Sequence, residues 1–206
     1  MKTPSISARV TVFSLSLLVV FVTVSAVRAG EVTYLGREIP SSPDWKLEAK
    51  GGTESVDADF LVIHTSAPTE NRFYRWNGDL GDGKGFQADI ELLMRNGITR
   101  LSIAANSPDG PVHYTINLYA NGVLGGYALE GYRTTKVPGG RLESLQVRLR
   151  GGWGADMVVS ANEDPKELLI FAPSPAKGKP RPGLWLGDDS NSYKAEAVIR
   201  RVVIRR

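Results

Sequence analysis

The chain has 206 residues, with 25 Lys and Arg against 22 Asp and Glu, 22 Gly, 12 Pro and no Cys. Without Cys there can be no disulfide framework, thiol catalysis or thiolate metal site. Three of the basic residues, Lys2, Arg9 and Arg28, lie in residues 1–29, which contain no acid. Residues 30–206 therefore carry 22 charges of each sign, and a nucleic-acid partner loses its main support from composition.

Lys2 and Arg9 precede an apolar run from Val10 to Val27, and Val27-Arg28-Ala29 before Gly30 fits a small-residue cleavage site, with Val24-Ser25-Ala26 as a second candidate. This is the three-part pattern of an export signal. It predicts a secreted or periplasmic protein with no stable membrane span after cleavage. The run is close to the lower limit of a spanning helix, roughly 17 residues, so a retained anchor is the competing reading. Residues 30–206 are long enough for a single domain with its own core.

Glu31 to Ile39 opens with a short strand, and Trp45 to Ala49 alternates apolar and charged residues. Gly51-Gly52 is a turn. Phe60 to His64 is a continuous apolar run, predicting a strand buried on both faces. Arg72 to Trp76 alternates basic and aromatic residues and leads into a glycine-rich loop, 77–85. Phe86, Ala88, Ile90 and Leu92 then share one face of a strand, with Gln87, Asp89 and Glu91 on the other. Asn96-Gly97 signals a hairpin into Ile98 to Ala105. Val112, Tyr114, Ile116 and Leu118 alternate with His113, Thr115 and Asn117, and Asn121-Gly122 turns into Val123 to Leu129. Leu145, Val147 and Leu149, then Met157 to Ala161 and Leu168 to Phe171, continue the pattern. Gly183 to Gly187 and Ala195 to Arg206 close the chain. About a dozen strands at the ~8–12 residue spacing of sandwiches, with no helical periodicity after residue 29, predict an all-β, antiparallel, two-sheet jelly-roll β-sandwich.

Three pieces carry a family resemblance. They are Gly85-Phe86-Gln87-Ala88-Asp89-Ile90-Glu91-Leu92, then Ile116-Asn117-Leu118-Tyr119-Ala120-Asn121-Gly122-Val123, and last Leu184-Trp185-Leu186-Gly187-Asp188-Asp189-Ser190 with the closing strand. In this order they resemble the concanavalin A-like lectin/glucanase superfamily, in particular its laminin-G-like sandwiches of secreted bacterial proteins. The resemblance implies two curved sheets, with glycan bound on a concave face or at rim loops and, in laminin-G-like members, calcium at a rim. The superfamily also holds glycosidases, polysaccharide lyases and structural modules, so fold alone does not assign an activity.

The glucanases of the superfamily carry Glu-x-Asp-x-Glu on one strand. Here the first position is Gln87, which cannot act as a carboxylate nucleophile, and Asp89 and Glu91 remain. Retaining glycosidases need two carboxyls ~5–5.5 Å apart. Arg72, Tyr74 and Trp76 fall on one face of a regular strand and are a candidate glycan platform, since aromatic faces stack on sugars and Arg forks hydrogen bonds. The same alternation also suits inter-sheet core. Trp153, Tyr127, Tyr132 and Tyr193 lie in or near loops and are candidates for exposed stacking, whereas Trp185 reads as core. Asp79, Asp82, Asp188 and Asp189 have the oxygen ligands that calcium takes, and Asp beside Gly is equally a turn former. His64 and His113 read as structural.

The predicted function is a secreted, non-catalytic module that binds carbohydrate or a glycoconjugate through Arg72, Tyr74, Trp76, Gln87, Asp89, Glu91 and Trp153, with no nucleic-acid partner and calcium as the one candidate cofactor. The competing functions are a carbohydrate-active enzyme using a concave groove and a structural or adhesion module without a small ligand.

Overall fold

The computed structural model describes residues 30–175, 181–188 and 194–206. The predicted export signal, Asp189 and Tyr193 lie outside the described residues. Among those described, no helix is long and apolar enough to cross a membrane.

The described chain divides its strands between two antiparallel sheets. The first contains β1 (Glu31–Leu35), β3 (Thr53–Asp57), β4 (Phe60–Thr65), β6 (Gln87–Asn96), β11 (Ser144–Leu149), β12 (Met157–Ala161), β13 (Leu169–Phe171) and β16 (Ala195–Arg205). The second contains β2 (Trp45–Lys50), β5 (Asn71–Trp76), β7 (Ile98–Ser107), β8 (Gly110–Tyr119), β9 (Val123–Ala128), β10 (Gly131–Lys136), β14 (Ser174–Pro175) and β15 (Gly183–Asp188). The order in the first sheet is β13-β12-β11-β6-β16-β4-β3, with β1 beside the far half of β16. In the second it is β10-β9-β8-β7-β15-β5-β2, with β14 beside β8. This is the two-sheet jelly roll that the alternation predicts.

The last two strands enter the middle of the sheets. β15 lies between β7 and β5, and β16 lies between β6 on one side and β4 and β1 on the other. Register shifts near both ends of Ala197–Ile199 let Arg200 and Arg201 both face solvent while Ile199 and Val202 stay buried. Inward residues from both sheets make one core, including Ile90, Leu92, Leu101, Ile103, Tyr114, Ile116, Val147, Leu184, Leu186 and Ile199. The sheets are also tied by polar links. Trp76 Nε1 donates to the Tyr34 hydroxyl at 2.9 Å, and that hydroxyl donates to Asp44 at 2.6 Å. Burial, then the Asp44 hydrogen bond, pushes the Tyr34 hydroxyl up to about 12, so it stays a donor.

Two expectations need correction. Asn96-Gly97 is not a hairpin turn, because β6 and β7 belong to different sheets. It is an arch, and a Cβ on Gly97 (φ +67°) would fall 1.6 Å from the Lys194 carbonyl oxygen. The Phe60 to His64 run is not buried on both faces, because Val62 is half-buried and His64 is exposed. Only its inner face meets the core.

Gly126 in β9 marks where the second sheet packs against β13, the edge strand of the first. A Cβ there would lie 2.3 Å from the Phe171 ring and 2.5 Å from the Thr115 carbonyl oxygen. Gly126→Ala is predicted to lower unfolding stability by about 1–3 kcal/mol through overpacking, read as a lower urea midpoint at unchanged slope.

Candidate functional site

Alternation gives each sheet an outer face of defined composition. On the first sheet, Arg201, Glu91 and Ser144 are cross-strand neighbours, as are Val203, Asp89 and Gln146. This face bears a cleft of about 330 Å³ walled by the turn through Glu163 and Asp164. Its carboxylates are already engaged. Asp89 accepts from Gln87 Nε2 at 2.9 Å, from Gln146 Nε2 at 2.9 Å and from the Arg205 guanidinium, and Glu91 accepts from Arg201 Nε at 2.8 Å. Arg205 also pairs with Glu31 at 2.7 Å. Gln87, Asp89 and Glu91 do lie beside a cleft, but as members of an ion-pair ladder. Asp89 and Glu91 are held by arginines, and Gln87 is spent holding Asp89.

The outer face of the second sheet is different. Across it run Trp185 on β15, Ser102 on β7 and Thr115 on β8, in register. The adjacent row runs Gly187, Arg100, Asn117, Gly125. Along one edge β8 has two successive partners, β9 over Ile116–Leu118 and β14 over Val112 and His113. Between them the β9–β10 hairpin and the β14 segment separate, and a cleft of about 340 Å³ opens. That lies within the range of small-molecule sites, ~300–1,000 Å³. His113, Thr115 and Asn117 form its floor, with Arg100 beside them, and Tyr127, Tyr132, Ala172 and Ser174 form its walls.

Hydrogen bonds fix this floor. Arg100 Nε donates to Asn117 Oδ1 at 3.1 Å, and Asn117 Nδ2 donates to the Tyr132 hydroxyl at 3.0 Å. Both ends of the Asn117 amide are thus assigned. The Tyr119 and Tyr132 hydroxyls meet at 3.1 Å, and the Thr115 hydroxyl lies 3.4 Å from His113 Nε2. Tyr132 reaches Asn117 because Gly125 lies beneath it: a Cβ there would be 2.4 Å from the Tyr132 hydroxyl. Tyr127 packs edge-on to Tyr132, with ring centroids 5.2 Å apart and planes at 73°. Tyr127 remains 60% exposed, so its ring is open to a ligand.

The predicted aromatic platform is corrected by burial. Arg72, Tyr74 and Trp76 do share a face, but it is the inner one: Tyr74 and Trp76 are each 2% exposed. Arg72 Nε pairs with Glu54 at 2.8 Å and its guanidinium reaches the Gly51 and Gly52 carbonyls, bridging the sheets at one end. Trp153 is buried as well. Its ring lies 4.8 Å from Phe86, and its Nε1 donates to the Gly81 carbonyl at 2.9 Å, anchoring the glycine loop. Trp185, read as core, instead lies on the outer face under Arg75 and donates to Glu48 at 3.1 Å.

The candidate calcium ligands are scattered in role. Asp79 accepts from the Gly81 amide at 2.9 Å and Asp82 from the Lys84 amide at 2.8 Å, the bonds of ordinary Asx turns. Asp188 is buried and accepts from the Thr65 hydroxyl. Among the described residues no three Asp, Glu or His side chains come together as a metal site.

This is the fold of the concanavalin A-like and galectin-like jelly rolls. No family model matches the chain, and no curated protein matches it in sequence. Solved structures are similar to it in shape. A carbohydrate esterase from Shiga toxin-encoding bacteriophage phi24B is 13% identical, with a TM-score of 0.56 over 84% of this chain and 96% of the esterase. A Bacillus subtilis protein of unknown function with a galectin-like fold is 11% identical, with a TM-score of 0.53 over 84% of this chain and 94% of that one. A sialidase is 10% identical, with a TM-score of 0.60 over 86% of this chain but only 18% of the enzyme. At these identities the likeness is one of fold.

Two glutamates behind these faces make stability depend on pH. Burial pushes the carboxyl of Glu48 up. Hydrogen bonds from Trp185 and Arg75, with the charges of Arg181 and Arg75, outweigh it and hold the group below its ordinary range. Burial likewise raises Glu54, and hydrogen bonds from Arg72 and Tyr74 with the Arg72 charge more than reverse it. A carboxyl whose folded pKa is lowered contributes stability fully above its unfolded value, about 4.3, and loses it as pH falls through the folded value. Urea midpoints are therefore predicted to be level from pH 7 to pH 5 and to fall below pH 4. The fall should be shallower in the Glu48→Gln/Glu54→Gln double variant, which starts from a lower midpoint.

Proposed function

We propose that this protein binds carbohydrate, without cutting it, in the cleft of the second sheet's outer face. The observation that carries this reading is the Tyr127–Tyr132 pair standing over a floor of fixed hydrogen-bonding groups. A saccharide presents C–H faces that stack on aromatic rings and hydroxyls that both donate and accept. Tyr127 supplies the open ring. Thr115, Asn117, His113 and Arg100 supply side-chain donors and acceptors in a geometry set before any ligand arrives, which limits the entropy lost on binding. Two fold neighbours are a carbohydrate esterase and a sialidase, which supports carbohydrate as the class of ligand. The binding takes place outside the cytoplasm after export, a reading supported by the charged start and the apolar run from Val10 to Val27.

The first sheet's cleft is the less suitable place. It lacks an aromatic ring among its described lining residues, and Asp89 and Glu91 are neutralised by arginines. A hydrolytic pair there would first have to surrender those ion pairs.

On a glycan array in calcium-containing buffer, the protein is predicted to bind saturably. Tyr127→Ala should weaken the best ligand at least tenfold, about 1.4 kcal/mol. Tyr127 is exposed, so its removal should leave the thermal midpoint within the scatter expected of a surface change. Glu91→Gln should retain the binding. Loss in Glu91→Gln with retention in Tyr127→Ala would move the site to the first sheet, and no binding to any glycan would refute the reading.

A further inference from the structure

The cleft of the second sheet adjoins a recess with two exposed aliphatic side chains, and that recess carries information about the ligand. Ala172 lines both. Beyond it lies a recess of about 230 Å³ lined by Ala128, Leu129 and Ile170 together with the charged Glu130, Arg133 and Asp156. Leu129 and Glu130 are the two turn residues of the β9–β10 hairpin, since Ala128 pairs directly with Gly131. Such turns favour Gly, Asn and Asp, which adopt the turn backbone and suit water. Here a leucine stands at the tip with 88% of its surface exposed, and Ile170 on the edge strand β13 is 40% exposed. Neither contributes to the core. Neither lines the polar floor of the cleft, and Arg133 and Glu130, which also line the recess, pair with each other.

Resting on the carbohydrate reading above, we infer that the ligand is an amphiphilic glycoconjugate, a saccharide bearing an acyl or alkyl chain. The sugar occupies the floor at Thr115 and Asn117, against Tyr127. The chain passes Ala172 and lies on Leu129 and Ile170. The arrangement suits such a molecule, with hydrogen-bonding groups and tyrosines lining the cleft and the exposed Leu129 and Ile170 lining the recess beside it. The continuity at Ala172 makes one ligand, rather than a separate apolar partner, the occupant of both parts. Removing this aliphatic surface from water would add affinity without adding any hydrogen bond.

Titration calorimetry with the methyl and hexyl glycosides of glucose, galactose and mannose tests this, with 1-hexanol as a control. For whichever sugar binds, the hexyl glycoside should bind at least tenfold more tightly than the methyl one. A Leu129→Ser/Ile170→Ser variant, altered only at exposed positions, should lose that advantage and keep its methyl-glycoside affinity. Tyr127→Ala should weaken both. Equal affinity for the two glycosides, or an advantage that survives in the double variant, would overturn the inference while leaving the carbohydrate reading intact. Hexanol binding as tightly as the hexyl glycoside would also overturn it, by making the recess a plain apolar patch. Binding of neither glycoside would overturn the carbohydrate reading and this inference together.

Discussion

The structure depends on the central placement of its two last strands. β15 joins β7 to β5, and β16 joins β6 to β4 and β1. Remove them and the second sheet separates into two pieces and the first into three, with unpaired edges and a split apolar face. Leu184 and Leu186 on one strand and Ile199, Val202 and Ile204 on the other are among the most deeply buried side chains, so pairing and packing are completed by the same residues. Such long-range pairing forms only after a large loop-closure cost. Once formed, it holds the outer faces in register, including the rows that lead from Trp185 through Ser102 to Thr115 and from Gly187 through Arg100 to Asn117.

The cleft follows from a local break in that regularity. A fully paired β8 would leave a flat outer face. Instead its free edge is shared between β9 and β14, and Gly126 lets Phe171 pass close beneath the point of change. Gly125 does the complementary thing on the outer side by admitting Tyr132 over the strand. Two adjacent glycines therefore serve the two faces of one strand: one closes the core and the other seats the cleft wall. The contrast with the first sheet is electrostatic. There the outward carboxylates have guanidinium partners close by, and a neutral polyol would have to displace charge-assisted bonds to bind them.

Much of the sandwich was legible in the sequence because strand alternation is a local signal. The inward sets Ala88–Ile90–Leu92, Val112–Tyr114–Ile116–Leu118 and Leu145–Val147–Leu149 are buried as their spacing requires. Sheet membership was less legible. Asn96-Gly97 joins different sheets, whereas Asn121-Gly122 joins neighbours within one, and the same dipeptide serves both. Face-sharing was readable at Arg72, Tyr74 and Trp76, but a half-basic, half-aromatic strand does not say which face is inside. That was decided by the partner sheet, which supplies Tyr34 to Trp76 and Glu54 to Arg72. The cleft itself was the least legible, because it arises from the consecutive pairing of β8 with strands far apart in sequence. Its parts were visible singly: Tyr127 and Tyr132 as loop aromatics, and His113, Thr115 and Asn117 as an outward polar trio.

The most direct measurement is amide chemical-shift mapping of the protein as methyl glycosides of glucose, galactose and mannose are titrated in. The account predicts saturable shifts concentrated at Thr115, Asn117, Tyr127 and Tyr132, with Asp89, Glu91 and Gln146 unmoved. Shifts concentrated on Asp89, Glu91 and Gln146, or no shift with any of the three sugars, would contradict it.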